Sequence, residues 1–209
     1  GWGVEQQITC VDGSTFQMYM ANMKSIFMDM IKNTDMVIFN RCKKEDPLPT
    51  YRRGIKVANQ RAEVIFEDEE GELGDIFQDE MPFDMNAPVI EILPEDYGIW
   101  FVDAMDHPEN YEGKTVKFKA RVMKPRGMGS KFFVPGRTAM TCCADDTTFL
   151  GYVCKSAYAP KLTPGEWVEV TAKVGIEKRN EYQGEEGIVL AAEHVEQCDP
   201  LEDEMVYFN

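Results

Sequence analysis

Nowhere in its 209 residues does the sequence contain a Gly-x-x-x-x-Gly-Lys-Ser/Thr loop, and this lack excludes more than any other. The backbone amides of such a loop, set between a strand and a helix, hold the β- and γ-phosphates of a nucleoside triphosphate. Without them phosphoryl transfer has no platform, so the chain by itself is not expected to be a GTPase or another P-loop enzyme. The nearest look-alikes, Gly127 and Gly129 with Ser130 and Lys131, follow no strand-to-helix pattern. No Cys-x-x-Cys pair occurs either. No apolar run is long enough to span a bilayer and no signal peptide is present, so direct membrane insertion is not expected. The six cysteines then read as free thiols of a reducing cytoplasm. Bases are outnumbered, 22 against 37 acids, and the resulting charge of −15 repels phosphate, which argues against nucleic acid as a partner. An initiating methionine is missing before Gly1-Trp2-Gly3, which suggests a processed chain or a piece of a longer protein.

What is present begins with Ile8 to Phe66. The apolar run Ile8-Thr9-Cys10-Val11 ends in Asp12-Gly13-Ser14, a turn and helix-cap cluster. Phe16, Tyr19, Met20, Met23, Ile26, Phe27, Met30 and Ile31 then recur at intervals of three and four, which predicts one apolar helix face. The methionines at 18, 20, 23, 28, 30 and 36 follow helical spacing and read as adaptable core filling, not as a soft-metal box. Met36-Val37-Ile38-Phe39 is apolar without alternation, as expected of a parallel strand covered on both faces. A helix from about Pro49 to Val57 and a strand over Ala62 to Phe66 complete β-α-β-α-β, hence right-handed crossovers and a parallel sheet. Such a half-domain has a small core and an unpaired edge, so the edge is expected to be covered by self-association or by the downstream domain.

The words ITCVDGSTF (8–16), DMVIFNRCKK (35–44) and YRRGIKVANQRAEVIFE (51–67) resemble the second half of the G3E family of P-loop GTPases, the cobalamin-synthesis and metallochaperone class. The resemblance implies a vestigial guanine-reading motif at Asn40, Arg41 and Lys43, with GTP bound only by a longer form of the protein. Lys43 stands where the family has an aspartate. A carboxylate accepts two hydrogen bonds from the guanine edge whereas a lysine can only donate, so the resemblance does not carry guanine selection with it. The family's Cys-x-Cys-Cys word is absent as well.

From Glu67 to Asp84 the composition turns acidic, with Asp68, Glu69, Glu70, Glu72, Asp75, Asp79, Glu80 and Asp84 and no base, as in a solvated linker. A strand over Val89 to Leu93 leads into Pro94-Glu95-Asp96, a helix start with proline in its first turn and acids at the positive end of the dipole. Trp100, Phe101, Ala104 and Met105 on that helix are expected to dock on the next domain. His107, before Pro108 at the helix end, reads as a surface or capping residue.

Short strands follow: Thr115–Met123, with Val116, Phe118, Ala120 and Val122 on one side, then 132–141, 149–154, 167–176 and 187–195. Five such strands, with a longer connection near Ser156 to Leu162, fit a Greek-key barrel of the OB type. The expected organisation is a partial α/β segment (1–85), a connecting strand and helix (86–113), an OB-like barrel (114–198) and an acidic tail (199–209). The words GRTAMTCCADD (136–146), FLGYVC (149–154) and YQGEEGIVLAAEHVE (182–196) resemble an uncharacterised bacterial domain at the C-terminus of proteins encoded beside permeases. Some relatives of both halves are associated with zinc limitation. The resemblance therefore implies metal homeostasis, with a membrane permease or a client metalloprotein as partner.

Two site readings stay open. Cys142 and Cys143 would point to opposite faces of a strand and can hold one zinc ion only if the backbone turns there, as Ala144-Asp145-Asp146 permits. Cys154, Asp145, Asp146 and His194 are the candidates for the remaining ligands. Cys10, Cys42 and Cys198 read as small core residues. A vicinal disulfide between Cys142 and Cys143 is the weaker chemistry, because its eight-membered ring is strained. The other reading is an interaction module binding a protein or a single-stranded nucleic acid. Over Lys114 to Cys198, 13 bases face 10 acids, and Lys117, Lys119 and Arg121 with Phe132 and Phe133 could form a stacking groove.

Overall fold

A computed structural model of the protein describes residues 3–74, 81–141 and 146–207. These form two compact units. The first holds residues up to 74 together with Met140, Thr141 and 146–148, and the second holds residues 81–139 and 149–207. Among the described residues no helix is long and apolar enough to cross a membrane.

The first unit is a parallel sheet of three strands in sequence order: β1 (Ile8–Asp12), β2 (Met36–Asn40) and β3 (Glu63–Phe66). Helix α1 (Gly13–Ile31) joins β1 to β2, and α2 (Leu48–Ala58) joins β2 to β3. Asp12 caps α1, its carboxylate accepting the Ser14 amide at 3.0 Å and the Ser14 hydroxyl at 2.6 Å. The core gathers Phe16, Phe27 and Ile31 of α1, Val37 and Phe39 of β2, Tyr51 and Ile55 of α2, and Val64 and Phe66 of β3. Phe16 is its hub, with ring centroids 5.2, 4.9 and 4.5 Å from those of Phe27, Phe39 and Tyr51. The outer side of β3 is covered by the chain that follows, Leu73 donating to the Phe66 carbonyl at 2.8 Å. No described strand pairs with the outer side of β1.

Two expectations for this unit need correction. The apolar stripe of α1 does not bury as one face: Tyr19, Met23, Ile26 and Met30 are exposed, as is Met18, while Met28 is buried. The helix breaks its own geometry at Met23 (φ −137°, ψ 31°), so the periodicity loses phase there, and the sheet covers only one flank of a stripe wider than itself. Only Met28 among the six spaced methionines is fully core, with Met20 and Met36 part-covered. Strand β2, expected to be covered on both faces, alternates: Val37 and Phe39 are fully buried, Met36 and Ile38 only half so.

The second unit opens with β4 (Ile90–Glu91), shorter than the expected strand, and α3 (Tyr97–Asp106), which a turn of 3-10 helix at Pro94–Asp96 precedes. Its further strands are β5 (Thr115–Met123), β6 (Phe132–Met140), β7 (Thr147–Gly151), β8 (Val153–Lys155), β9 (Trp167–Lys178), β10 (Glu186–Gln197) and β11 (Met205–Val206). Strand β5 pairs with β6 and β9, β6 with β8, β8 with β10, and β10 with β9, so five strands close on themselves as an OB-like barrel. The β8–β10 pair is parallel and the rest of the ring antiparallel. The strand expected over 149–154 is broken at Tyr152, whose side chain turns into the core and donates to the Phe101 carbonyl. Trp100 and Phe101 of α3 pack with Phe118 and Tyr152, so the helix docks on the barrel by its aromatic face. Gly136 and Gly151 let β6 and β7 approach: a Cβ on Gly151 would stand 2.6 Å from the Pro135 carbonyl oxygen.

Candidate functional site

Three places carry the chemistry that the sequence singled out. The first is the carboxyl-terminal edge of the parallel sheet, where open α/β sheets bind their ligands. Asp12 ends β1, and Asn40 ends β2 with Arg41 next to it in a left-handed conformation (φ 54°). Arg41 turns back to Asp12, guanidinium to carboxylate at 2.8 Å. The Ser14 hydroxyl, then the Arg41 charge, hold the Asp12 carboxyl below its ordinary range. Gly13 is forced by this approach, since a Cβ there would meet the Cys42 sulfur at 2.7 Å and the Asn40 carbonyl at 3.0 Å. The Asn40 Oδ1 is buried without a partner among the described residues. Lys43 stands farther round the turn, its amide donating to the Asp46 carboxylate at 2.7 Å. The three guanine-motif residues thus share one loop. The amino terminus of α1, however, is filled by a carboxylate, which repels a phosphate at that point. Sequence reading saw Asp12 as a cap but missed its pairing with Arg41 and the role of Asp46, because both contacts come from chain reversals after β2.

The second place is the cysteine segment. Cys142, Cys143 and Asp145 lie outside the described residues. Their flanks are held: Thr141 donates to the Asp146 carbonyl through its amide at 3.0 Å and its hydroxyl at 2.7 Å. The Asp146 carboxylate pairs with Lys32, just beyond α1, at 3.0 Å. The other candidate ligands are dispersed. Cys154 is fully buried on β8, opposite Leu190 and Phe133, and burial pushes its thiol up to about 12, far from the thiolate a metal needs. His194 is exposed at an irregularity of β10 and faces Glu196 at 3.3 Å. Among the described residues no three of His, Cys, Asp and Glu come together as a metal-binding group. Of the cysteines read as core, Cys42 is buried with its thiol raised to about 11 by burial, whereas Cys10 is exposed and Cys198 half-buried.

The third place is the outer face of β5. Lys117 is ion-paired with Glu169 on β9 at 3.0 Å, and Arg121 donates to the Gly165 carbonyl and faces Glu204 at 3.8 Å. Lys119 lies opposite Glu169 in the β5–β9 register, and Glu169 lies opposite Glu196 in the β9–β10 register. The two phenylalanines do not form a stacking platform beside these bases. Phe133 is fully buried, and Phe132 is capped by Arg179, whose guanidinium carbon lies 4.4 Å from the ring centroid. Alternation along β6 turned one ring inward, and the hairpin between β9 and β10 covers the other.

Sequence reasoning also missed Arg137 of β6, a buried cation that among the described residues donates to the main-chain carbonyls of Pro94, Asp203 and Met205. No signal in the sequence distinguishes it from the surface bases near it.

Among solved structures, the chain is similar to the mitochondrial single-stranded DNA binding protein of S. cerevisiae, at 10% identity over 41% of this chain and 95% of that chain, with a TM-score of 0.25. It is similar to a small single-stranded DNA-binding protein from Streptomyces coelicolor at 14% identity over 42% and 95% of the two chains, TM-score 0.25. It is also similar to the aspartyl tRNA synthetase from Entamoeba histolytica at 15% identity over 56% and 27%, TM-score 0.29. Likenesses at these scores assign neither a fold nor a function. No curated protein matches the chain. A family model described as the DUF1980 C-terminal domain matches residues 72–208, from the end of the first unit through the whole barrel to β11. With well over half of its length so matched, the chain belongs to the DUF1980 C-terminal domain family.

Proposed function

We propose that this chain is a non-catalytic metal-handling protein whose barrel presents Cys142 and Cys143, with Asp145 and Asp146, to zinc. The observation that carries the reading is the approach of the two residues flanking the cysteine segment, Thr141 bonded twice to the Asp146 carbonyl. Regular strand alternation would set adjacent thiols on opposite faces, so the zinc reading requires a turn in the chain there, and the bonding of Thr141 to Asp146 agrees with one. In this reading the α/β unit is the base-reading half of a G3E-like nucleotide-binding domain. The meeting of Asp12, Asn40 and Arg41 at one sheet edge supports it, and GTP would be held only by a longer form. The open side of β1 is where a second copy or a further strand would add. The protein serves zinc homeostasis by docking a membrane permease or a client metalloprotein. A nucleic-acid role gains no support from the barrel, whose basic face is answered by its own acids.

Calorimetric titration of the reduced, metal-free chain with zinc tests this. One ion per chain should bind, and binding should vanish when Cys142 and Cys143 are both changed to serine. Absence of binding in the unaltered chain would overturn the zinc reading and leave a barrel that only docks proteins.

A further inference from the structure

Two stretches of the barrel contain no acid. Residues 124–138 and 149–165 carry Lys124, Arg126, Lys131, Arg137, Lys155 and Lys161, in a chain whose net charge is −15. The fold lays these stretches side by side. Phe132 of β6 lies opposite Lys155 of β8, the Ser156 amide donates to the Lys131 carbonyl at 2.9 Å, and the Lys124 ammonium donates to the Leu162 carbonyl at 2.6 Å. Arg137 is buried and Lys124 half-buried, while Arg126, Lys131, Lys155 and Lys161 are exposed. Among the described residues none of these four has a carboxylate within ion-pair distance. By contrast Lys117 is answered by Glu169, Arg121 by Glu204, and Arg179 by Glu177 and Glu181. Like charges gathered on one face repel one another until an outside anion answers them. The acidity of the rest of the chain does not cancel this field, because solvated charges more than about 8 Å away are screened at physiological salt.

The neighbours of the bases decide which polyanion fits. Tyr158 is the one exposed ring in the two stretches, and Met128 and Leu162 are half-buried beside the bases. Basic side chains that lay their apolar stems along a surface, with a tyrosine among them, suit the headgroup layer of a bilayer. A single-stranded nucleic acid stacks on successive open rings, and here Phe133 and Tyr152 are buried and Phe132 lies under Arg179. The loops of a membrane protein on its basic side are enriched in Lys and Arg and would repel this face, whereas anionic lipid around them attracts it. We propose that the face formed by residues 124–131 and 155–162 is a peripheral docking surface for an anionic lipid bilayer, with Arg126, Lys131, Lys155 and Lys161 set on headgroup phosphates. The contact is electrostatic and inserts no helix. It goes beyond the zinc reading and does not need it.

Co-sedimentation of the full chain with vesicles tests this, comparing phosphatidylglycerol mixed into phosphatidylcholine with phosphatidylcholine alone. The chain should sediment only with the anionic vesicles and be released by high salt. Lys155→Gln should lower partitioning roughly fivefold, the effect of one base at an anionic surface, and the fourfold Gln variant at 126, 131, 155 and 161 should abolish it. All four positions are exposed, so the changes leave the core intact. Lys117→Gln combined with Arg121→Gln, which removes bases already paired with acids, should bind as the unaltered chain does. Failure of the unaltered chain to sediment with anionic vesicles would overturn the proposal. Binding that survives the fourfold change, or that falls equally in the paired-base control, would overturn the assignment to this face. Capture of a fluorescent oligothymidylate by the unaltered chain but not the fourfold variant, with no vesicle binding, would give the face to nucleic acid instead. No metal enters these measurements, so their failure is distinguishable from failure of the zinc reading.

Discussion

Strand edges separate the two units. In the barrel, five strands close a ring, β4 and β11 cover strand segments that the ring leaves over, and α3 covers aromatic core. In the α/β unit the sheet has three strands, β3 is shielded by the chain that follows it, and β1 stands with one side unpaired among the described residues. The distribution of apolar surface follows. In the first unit Ile8, Met18, Tyr19, Met23, Ile26 and Met30 are exposed on β1 and α1 themselves, whereas in the second the exposed large apolar side chains, Val89, Leu93, Tyr158 and Tyr207, lie outside the described barrel strands. A closed barrel satisfies its own edges by closure, while an open parallel sheet needs a partner on each side and each face. The unit whose sheet has an unpaired side is also the one whose regular elements leave apolar side chains exposed.

Substitutions can break or sharpen that contrast. The largest effect is expected from Phe16→Ala, which removes the ring joining α1 to Phe39 and Tyr51; the α/β unit should lose about 3 to 5 kcal/mol, read by chemical denaturation. Gly136→Ala should cost the barrel about 3 kcal/mol, because the new Cβ meets the Leu150 carbonyl and the Phe149 ring, an obstacle of backbone that cannot step aside. A smaller effect should come from Asp12→Asn, and it should depend on pH. The Asp12 carboxyl is held below its ordinary value in the folded chain, so its stabilising contribution is present above that ordinary value and disappears as the pH falls through the folded one. Thermal midpoints of the two proteins should therefore differ at neutral pH and converge below about pH 4; a constant difference would mean that Asp12 acts by shape and not by charge. The smallest change is Gly54→Ala in α2, where nothing lies within 4 Å of the added carbon: it should stabilise by about 0.5 to 1 kcal/mol.

Much of this architecture was legible as pattern. Alternation of Val116, Phe118, Ala120 and Val122 announced β5 to the residue, because an amphipathic strand on a barrel writes its own burial into a period of two. The Asp12-Gly13-Ser14 cluster announced the cap of α1 for an equally local reason. Legibility failed where a residue's surroundings come from distant chain. Nothing around Tyr152 signals that its side chain is drawn into the Phe101 and Trp100 cluster and interrupts a strand. The stripe on α1 is equally apolar on its covered and uncovered flanks, so its width could not say which flank the sheet would take.

At the sites the same boundary holds. The residue types at Asn40, Arg41 and Lys43 and the adjacent thiols at 142 and 143 were visible at once, since their chemistry is carried by the side chains themselves. Pairing was not. That Lys117 is spent on Glu169, that Phe132 lies under Arg179, and that Cys154 is sealed beside Phe133 are all facts of register and of chain segments far apart in sequence. The sequence by itself determined the kinds of element, their order and the closure-prone spacing of the barrel strands, because periodicity and turn chemistry act over a few residues. Only the tertiary structure decided which charges are answered, which thiol is buried, and that the arginine at 137 lies inside, bonded to main chain 43 to 68 residues away, because those outcomes depend on contacts between segments distant in sequence.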